Sequence, residues 1–288
     1  ANKEVKTHAD EKGCWELQIT TPAASFEEYT LTLTDGEQSV TLQHLLIGEV
    51  WLCAGQSNMV MPLNGFDYCP ISDSNNVIAD APNHPGIRMV TIKPTVKLSP
   101  QEYAEGSWQQ PTTENAPKFS AAAYHYALTL QRTLQIPIGV ITCAWGGSRV
   151  EGWLPKEILQ TYKDEDLTLI GSDKTPVYLQ SMLMYNGILY PCHKYTIKGF
   201  IWYQGESNVR SSRTYAERLA TMVKHWRSIW KQGDLPFYYV ETVPFACEYK
   251  EDGYIGALLR EAQQKALSLI PNSGMIGTND LVETYEAP

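Results

Sequence analysis

The sequence predicts an α/β fold on a mostly parallel sheet, and three observations predict it. From about residue 47 onward, short β-type runs alternate with segments whose apolar residues recur at helical spacing. The runs are close to continuously apolar, as in strands covered on both faces. Four of them end on small polar turns, where open α/β sheets place their chemistry.

Residues 1–46 differ from the rest. Trp15–Ile19 and Tyr29–Thr34 alternate apolar and polar residues, Asp35-Gly36 marks a turn, and Val40–Leu42 follows. That pattern suits half-buried antiparallel strands. Three short strands are too few for a confident sheet of their own. The expected division is therefore a partial β-strand domain or appendage at 1–46 and an α/β domain at 47–288. Expected strands of the second unit are Ile47–Cys53, Ile87–Ile92, Ile138–Cys143, Gly199–Tyr203, Pro236–Val243 and Gly274–Ile276. Expected helices are Ser120–Leu134, Ser212–Trp230 and Gly256–Ile270, placed on both faces of the sheet. Stretches 60–85, 93–118 and 154–190, rich in Pro, Asn, Asp and Ser, read as loops that shape a site.

Composition narrows the classes. Lys and Arg number 23 against 32 Asp and Glu, a net charge of −9, which argues against nucleic acid and anionic membrane as partners. No apolar run approaches the length of a membrane-spanning helix. The residues at the start, Ala1-Asn2-Lys3-Glu4, are not a signal peptide. The six cysteines form no Cys-x-x-Cys pair, so a zinc ribbon or thioredoxin-type site is not expected, and no metal or other cofactor is. Cys53 and Cys143 fall within strand runs and read as buried thiols; Cys14, Cys69, Cys192 and Cys247 are left open to pairing.

The four turns are Gly55-Gln56-Ser57-Asn58, Ala144-Trp145-Gly146-Gly147-Ser148, Gln204-Gly205-Glu206-Ser207-Asn208 and Gly277-Thr278-Asn279-Asp280. In a parallel sheet all four lie on one edge and can converge on a pocket. Their residue types suit acyl transfer. A serine nucleophile needs hydrogen-bond donors around the oxyanion of a tetrahedral intermediate. Candidates are the N–H of Ser57, an N–H in Gly146-Gly147, and the side-chain amide of Asn208. Gln56, Gln204, Glu206, Arg149 and Trp153 flank these turns; Gln204 and Glu206 are expected to touch the substrate or to brace the turn. The turn at Ser57 is not a Gly-x-Ser-x-Gly elbow, because Met59 replaces the second glycine.

These motifs resemble the SGNH (GDSL-type) hydrolase superfamily, and specifically its sialate O-acetylesterase branch. Gly48-Glu49-Val50-Trp51-Leu52-Cys53-Ala54-Gly55-Gln56-Ser57-Asn58-Met59 resembles the branch's first block. Trp145-Gly146-Gly147-Ser148 with Glu151 and Trp153 resembles its second, and Ile201-Trp202-Tyr203-Gln204-Gly205-Glu206-Ser207-Asn208 its third. The resemblance implies a flavodoxin-like three-layer αβα fold and hydrolysis of O-acetyl esters on sugars. It makes Ser57 the nucleophile, Gly147 or Gly146 and Asn208 the oxyanion donors, and Gln56, Gly146, Gln204 and Glu206 substrate-binding. A secreted or periplasmic setting goes with it.

One departure stands out. The family carries its catalytic histidine in a block shortly after the equivalent of Thr278-Asn279-Asp280-Leu281, and this sequence holds no such histidine. His8, His44, His84, His125, His193 and His225 sit before strands, within helices or in the N-terminal segment, away from the edge that carries Ser57. Asp280 is left as an orienting acid without its histidine. The expectation is that the α/β unit stops before the catalytic histidine and that this 288-residue form has little activity. Rival readings are an acetylxylan or other sugar-ester esterase on the same fold, and a catalytically inactive carbohydrate-binding relative. The oligomeric state is not legible.

Overall fold

The computed structural model describes residues 4–244 and 254–281, and the chain divides into two compact units between Gly48 and Glu49. In the first unit β1 (Ser25–Thr34) pairs antiparallel with β2 (Ser39–Ile47). The hairpin turns at Asp35-Gly36, where the Asp35 carboxylate accepts the N–H groups of Glu37 and Gln38. The expected strand at Trp15–Ile19 is not formed. Its alternation is real, but no strand among the described residues pairs with it; the Glu16 carbonyl accepts only the Thr7 hydroxyl at 3.2 Å, and Trp15 is exposed.

Among the described residues the second unit carries six strands, all parallel. They are β3 (Glu49–Gly55), β4 (Ile87–Thr91), β5 (Ile138–Ala144), β6 (Gly199–Tyr203), β7 (Phe237–Val240) and β8 (Ser273–Ile276), ordered β4-β5-β3-β6-β7-β8. The expected strand Ile47–Cys53 is thus split at Gly48 between β2 and β3. β7 is shorter than its apolar run, because beyond Val240 the N–H of Thr242 turns to the Gln263 side chain at 3.0 Å.

Among the described residues the helices are α1 (Ser57–Val60), α2 (Ser74–Asp80), α3 (Ala121–Leu134), α4 (Lys156–Leu159), α5 (Ser212–Trp230) and α6 (Ile255–Leu269). Helix α1 begins in the turn read at Gly55–Asn58, and α2 and α4, with several 3₁₀ turns and a π turn at Tyr185–Leu189, occupy stretches read as loops; they are too short for helical periodicity to show. Helix α3 starts where Ser120 Oγ accepts the Ala123 N–H at 3.2 Å and ends on Gln135 in the left-handed conformation.

The pleat of β3 assigns the two cores. Trp51 and Cys53 face one side with Met59, Tyr124 and Leu128, which brings in α1 and α3. Leu52 and Ala54 face the other side with Trp202, Trp226 and Leu259, which brings in α5 and α6. The result is the three-layer αβα arrangement. Among the described residues no helix is long and apolar enough to cross a membrane.

Strand order positions the site. The chain leaves β3 for β4 and returns as β5 on one side, then crosses β3 to continue as β6 on the other. β3 therefore lies between β5 and β6, and a crevice opens at their carboxyl ends.

Candidate active site

Ser57 is the first residue of α1 and follows Gly55, the last residue of β3. Gly55 adopts φ +149°, and a Cβ there would lie 2.1 Å from the Tyr203 carbonyl oxygen, so only glycine lets β3 end this close to β6. The neighbouring turns are tied on both sides: Gln56 N–H donates to Tyr203 O at 3.0 Å, and Trp145 N–H donates to Gly55 O at 3.0 Å.

Gly146 faces the serine directly. A Cβ built on it would sit 3.9 Å from Ser57 Cβ. Gly147 has φ +74°, and a Cβ there would meet the Tyr178 ring at 2.7 Å. Its carbonyl accepts the Ser207 hydroxyl at 2.8 Å, which fixes the peptide's orientation. The backbone N–H groups of Ser57, Gly146 and Gly147 make no hydrogen bond to any described residue. All three residues are part-exposed, so these donors are open to solvent or to a ligand. Donors of this kind on turns flanking a hydroxyl are able to stabilise a developing oxyanion.

The third turn is held by amide side chains. Gln204 is wholly buried; its Nε2 donates to Ser148 O at 3.0 Å and Asn208 Oδ1 at 2.8 Å, and its Oε1 accepts from Tyr215 at 2.9 Å. Gln204 is expected to touch the substrate or to brace its turn; its amide is engaged within the protein on both sides, the arrangement of a bracing residue. Trp153 is corrected. It lies buried against Trp202 and Trp226 and cannot flank a sugar.

Asn208 is also buried, and its amide is saturated. Oδ1 accepts the Val150 N–H at 2.9 Å; Nδ2 donates to Glu151 Oε2 at 3.0 Å and to Ser211 Oγ at 3.2 Å. An oxyanion would gain a hydrogen bond from the Asn208 amide only by displacing Ser211 or Glu151. Gln56 behaves differently. Its Oε1 accepts the N–H groups of Gly205 and Ser207 at 3.2 and 3.4 Å, while its Nε2 has no partner among the described residues.

Glu206 Oε1 accepts from Asn58 Nδ2 at 3.1 Å, and its Oε2 is shut off from solvent without a partner. Burial pushes its carboxyl above the usual range, against the pull of the turn's backbone N–H groups and of Asn58.

Behind Asn208 lies a charge network of which sequence reasoning singled out Arg149 and Glu151 but not Asp164, Glu165 or Arg218. Glu151 Oε1 pairs with Arg218 Nη1 at 2.6 Å, Arg218 Nη2 is bidentate to Asp164, and Arg149 Nη2 pairs with Glu165 at 2.6 Å. Burial opposes the charge on Arg218, yet Glu151 and Asp164 hold its guanidinium above its usual pKa. The signal for Arg218 was its position on the apolar stripe of α5, three residues after Tyr215 and four before Met222, where a solvated charge does not belong.

Ser57 Oγ makes no hydrogen bond to a described residue. His44 pairs with Glu28, His84 with Asp80, His193 with the Tyr190 carbonyl and His225 with the Tyr185 hydroxyl. His44 lies inside β2, not ahead of a strand. Asp280 is exposed and has no partner among the described residues; its strand is three places from β3, roughly 14 Å sideways at about 4.8 Å per strand. Among the described residues no group of three or more His, Cys, Asp or Glu could hold a metal.

Against known proteins, the family profile described as carbohydrate esterase, sialic acid-specific acetylesterase, matches residues 47–287. The sialate O-acetylesterases of Pongo abelii and Homo sapiens are each 26% identical over 294 residues, an alignment covering 95% of this chain and 54% of theirs. The chain thus spans about half the length of these curated relatives. A carbohydrate acetylesterase from Xanthomonas citri superposes with a TM-score of 0.83 at 30% identity, over 96% of this chain and 60% of that one. A protein from Arabidopsis thaliana shares the fold at a TM-score of 0.51 and 17% identity. With 241 of its residues inside the family profile, the chain belongs to the sialic acid-specific acetylesterase family of carbohydrate esterases.

Proposed function

We propose that the protein is a serine esterase that removes O-acetyl groups from carbohydrates, with an O-acetylated sialic acid as the substrate closest to its family. One observation carries the reading: Ser57 sits among three unpaired backbone N–H groups, its own and those of Gly146 and Gly147. In this mechanism Ser57 Oγ gives its proton to a base and attacks the acetyl carbonyl, and the oxyanion settles against the N–H groups of Ser57 and Gly147. Collapse expels the sugar alkoxide, which takes that proton from the base, and leaves acetyl-Ser57; water, deprotonated by the same base, then adds to the acetyl carbon, and acetate leaves as Ser57 Oγ takes the proton back.

The remaining roles follow the geometry. Gln56 Nε2 holds unspent donor capacity on the Ser57 turn, which suits a sugar hydroxyl, while Glu206, its Oε2 closed off from solvent, braces Asn58. Asn208 serves as a third oxyanion donor if Ser211 yields its place, and otherwise holds the turn. The base for Ser57 is not among its described neighbours. A histidine reaching Ser57 from a longer form would supply it, with Asp280 available to orient that histidine. We take residues 1–46 as a separate partial β-domain, and a secreted or periplasmic setting as the one in which such substrates are met.

The test is deacetylation of O-acetylated sialic acid by the full-length protein and its Ser57→Ala variant. Loss of about 10⁴-fold or more in kcat with an unchanged fold is expected. Hydrolysis at near wild-type rate would remove Ser57 from the mechanism. Cleavage of acetylated xylan in preference to sialate would move the substrate and keep the chemistry.

A further inference from the structure

Cys143 and Cys192 lie outside the chemistry assigned above, and they lie together. Cys143 is the penultimate residue of β5, fully buried; Cys192 closes the 3₁₀ turn Tyr190–Cys192 and is nearly so. Their Sγ atoms are 3.9 Å apart, with 49 positions of chain between them. Both thiols lean on one acceptor, the Ile188 carbonyl, at 3.7 and 3.5 Å. Both are free thiols in this structure. A disulfide needs about 2.05 Å between sulfurs, so the gap of about 1.9 Å is within reach of side-chain rotation and a small shift of the 190s turn.

We propose that Cys143 and Cys192 form a structural disulfide when the chain folds in the presence of a dithiol-oxidising disulfide. The chemistry is two thiol–disulfide exchanges. The Cys192 thiolate attacks an external disulfide R–S–S–R, making a mixed disulfide and releasing one R–SH. The Cys143 thiolate then attacks the Cys192 sulfur, closing the bridge and releasing the second R–SH. The protein gives up two electrons and two protons, and the external disulfide takes them. Burial holds the Cys143 thiol in its neutral form, so the exchange belongs to folding, before β5 is covered. The bridge would join β5, which runs into the Trp145-Gly146-Gly147 turn, to the π-turn segment packed beneath it.

The experiment refolds the 288-residue chain from denaturant in a mixture of oxidised and reduced glutathione, blocks free thiols, and digests with trypsin without reduction. A linked pair of peptides, Thr133–Arg149 joined to Thr175–Lys194, is expected in most of the protein. The oxidised form should melt about 5–10 °C above the reduced form, as expected for closing a loop of this length. The difference should vanish in both Cys192→Ser and Cys143→Ala, so misfolding of one variant does not decide the matter. Recovery of both cysteines fully alkylated from folded, oxidised wild type would overturn the proposal, as would either cysteine bridged to Cys14, Cys53 or Cys69 instead.

Discussion

Replacing Arg218 with Met should destabilise the protein through Glu151 and leave the sheet intact. Arg218 is 4% exposed and Glu151 is 0% exposed, so the substitution strands a buried carboxylate. Breaking a buried pair by removing one partner costs roughly 3–5 kcal/mol. Two contacts soften the loss: Asn208 Nδ2 at 3.0 Å and Arg149 Nη1 at 3.7 Å stay with Glu151. The Asp164 arm of the network adds little, because that carboxylate is 60% exposed. The expected cost is therefore near the lower end, about 3 kcal/mol, or a fall in Tm of about 6–10 °C for a unit of this size. Glu151→Gln should cost less, about 1–2 kcal/mol, since the amide still accepts from Asn208 and Arg218 keeps Asp164. The double variant should then cost at least about 1.5 kcal/mol less than the sum, measured by denaturant unfolding of all four proteins. Strict additivity would show that the 2.6 Å pair carries no coupling and that the network does not hold Asn208.

Two more outcomes follow from single positions. Gly147→Ala forces a left-handed alanine against the Tyr178 ring and should cost about 1–2 kcal/mol and roughly 10²-fold in kcat through displacement of the N–H donor; an unchanged kcat would remove Gly147 from the oxyanion hole. Glu206 has a folded pKa above its reference of 4.5, so its contribution to stability is full below pH 4.5 and is lost as pH rises through the raised value. Wild type should therefore lose stability relative to Glu206→Gln as pH climbs above 4.5, and a parallel pair of Tm–pH curves would refute the buried, unpaired Oε2.

How much of this could be read from residues alone varies with the kind of signal. β6 at Gly199–Tyr203 and α5 at Ser212–Trp230 match their expected bounds, because period and punctuation agree there. Trp15–Ile19 misled because alternation reports a face, not a pairing partner. The convergence of the Ser57, Gly146-Gly147 and Gln204–Asn208 turns was legible, since a parallel sheet puts every strand end on one edge. Strand order was not, and it decides which turns touch: β5 and β6 flank β3, while the Asp280 turn is three strands away. The side-chain amides were the least legible. Gln56, Gln204 and Asn208 read alike in sequence, but only contacts far along the chain, such as Tyr215 and Glu151, show which two are spent.

Acceptance of the acetyl group by Ser57 beside preformed N–H donors can be tested separately from the identity of its base. No described histidine hydrogen-bonds to Ser57, so the 288-residue chain should turn over p-nitrophenyl acetate slowly. Added imidazole supplies a diffusible base. In wild type the imidazole-dependent rate should be well above that of Ser57→Ala, with an acetyl group found on Ser57 after acid quench. Equal rates in the two proteins at every imidazole concentration, with Ser57 unmodified, would contradict transfer of the acetyl group to Ser57 and favour an inactive carbohydrate-binding relative.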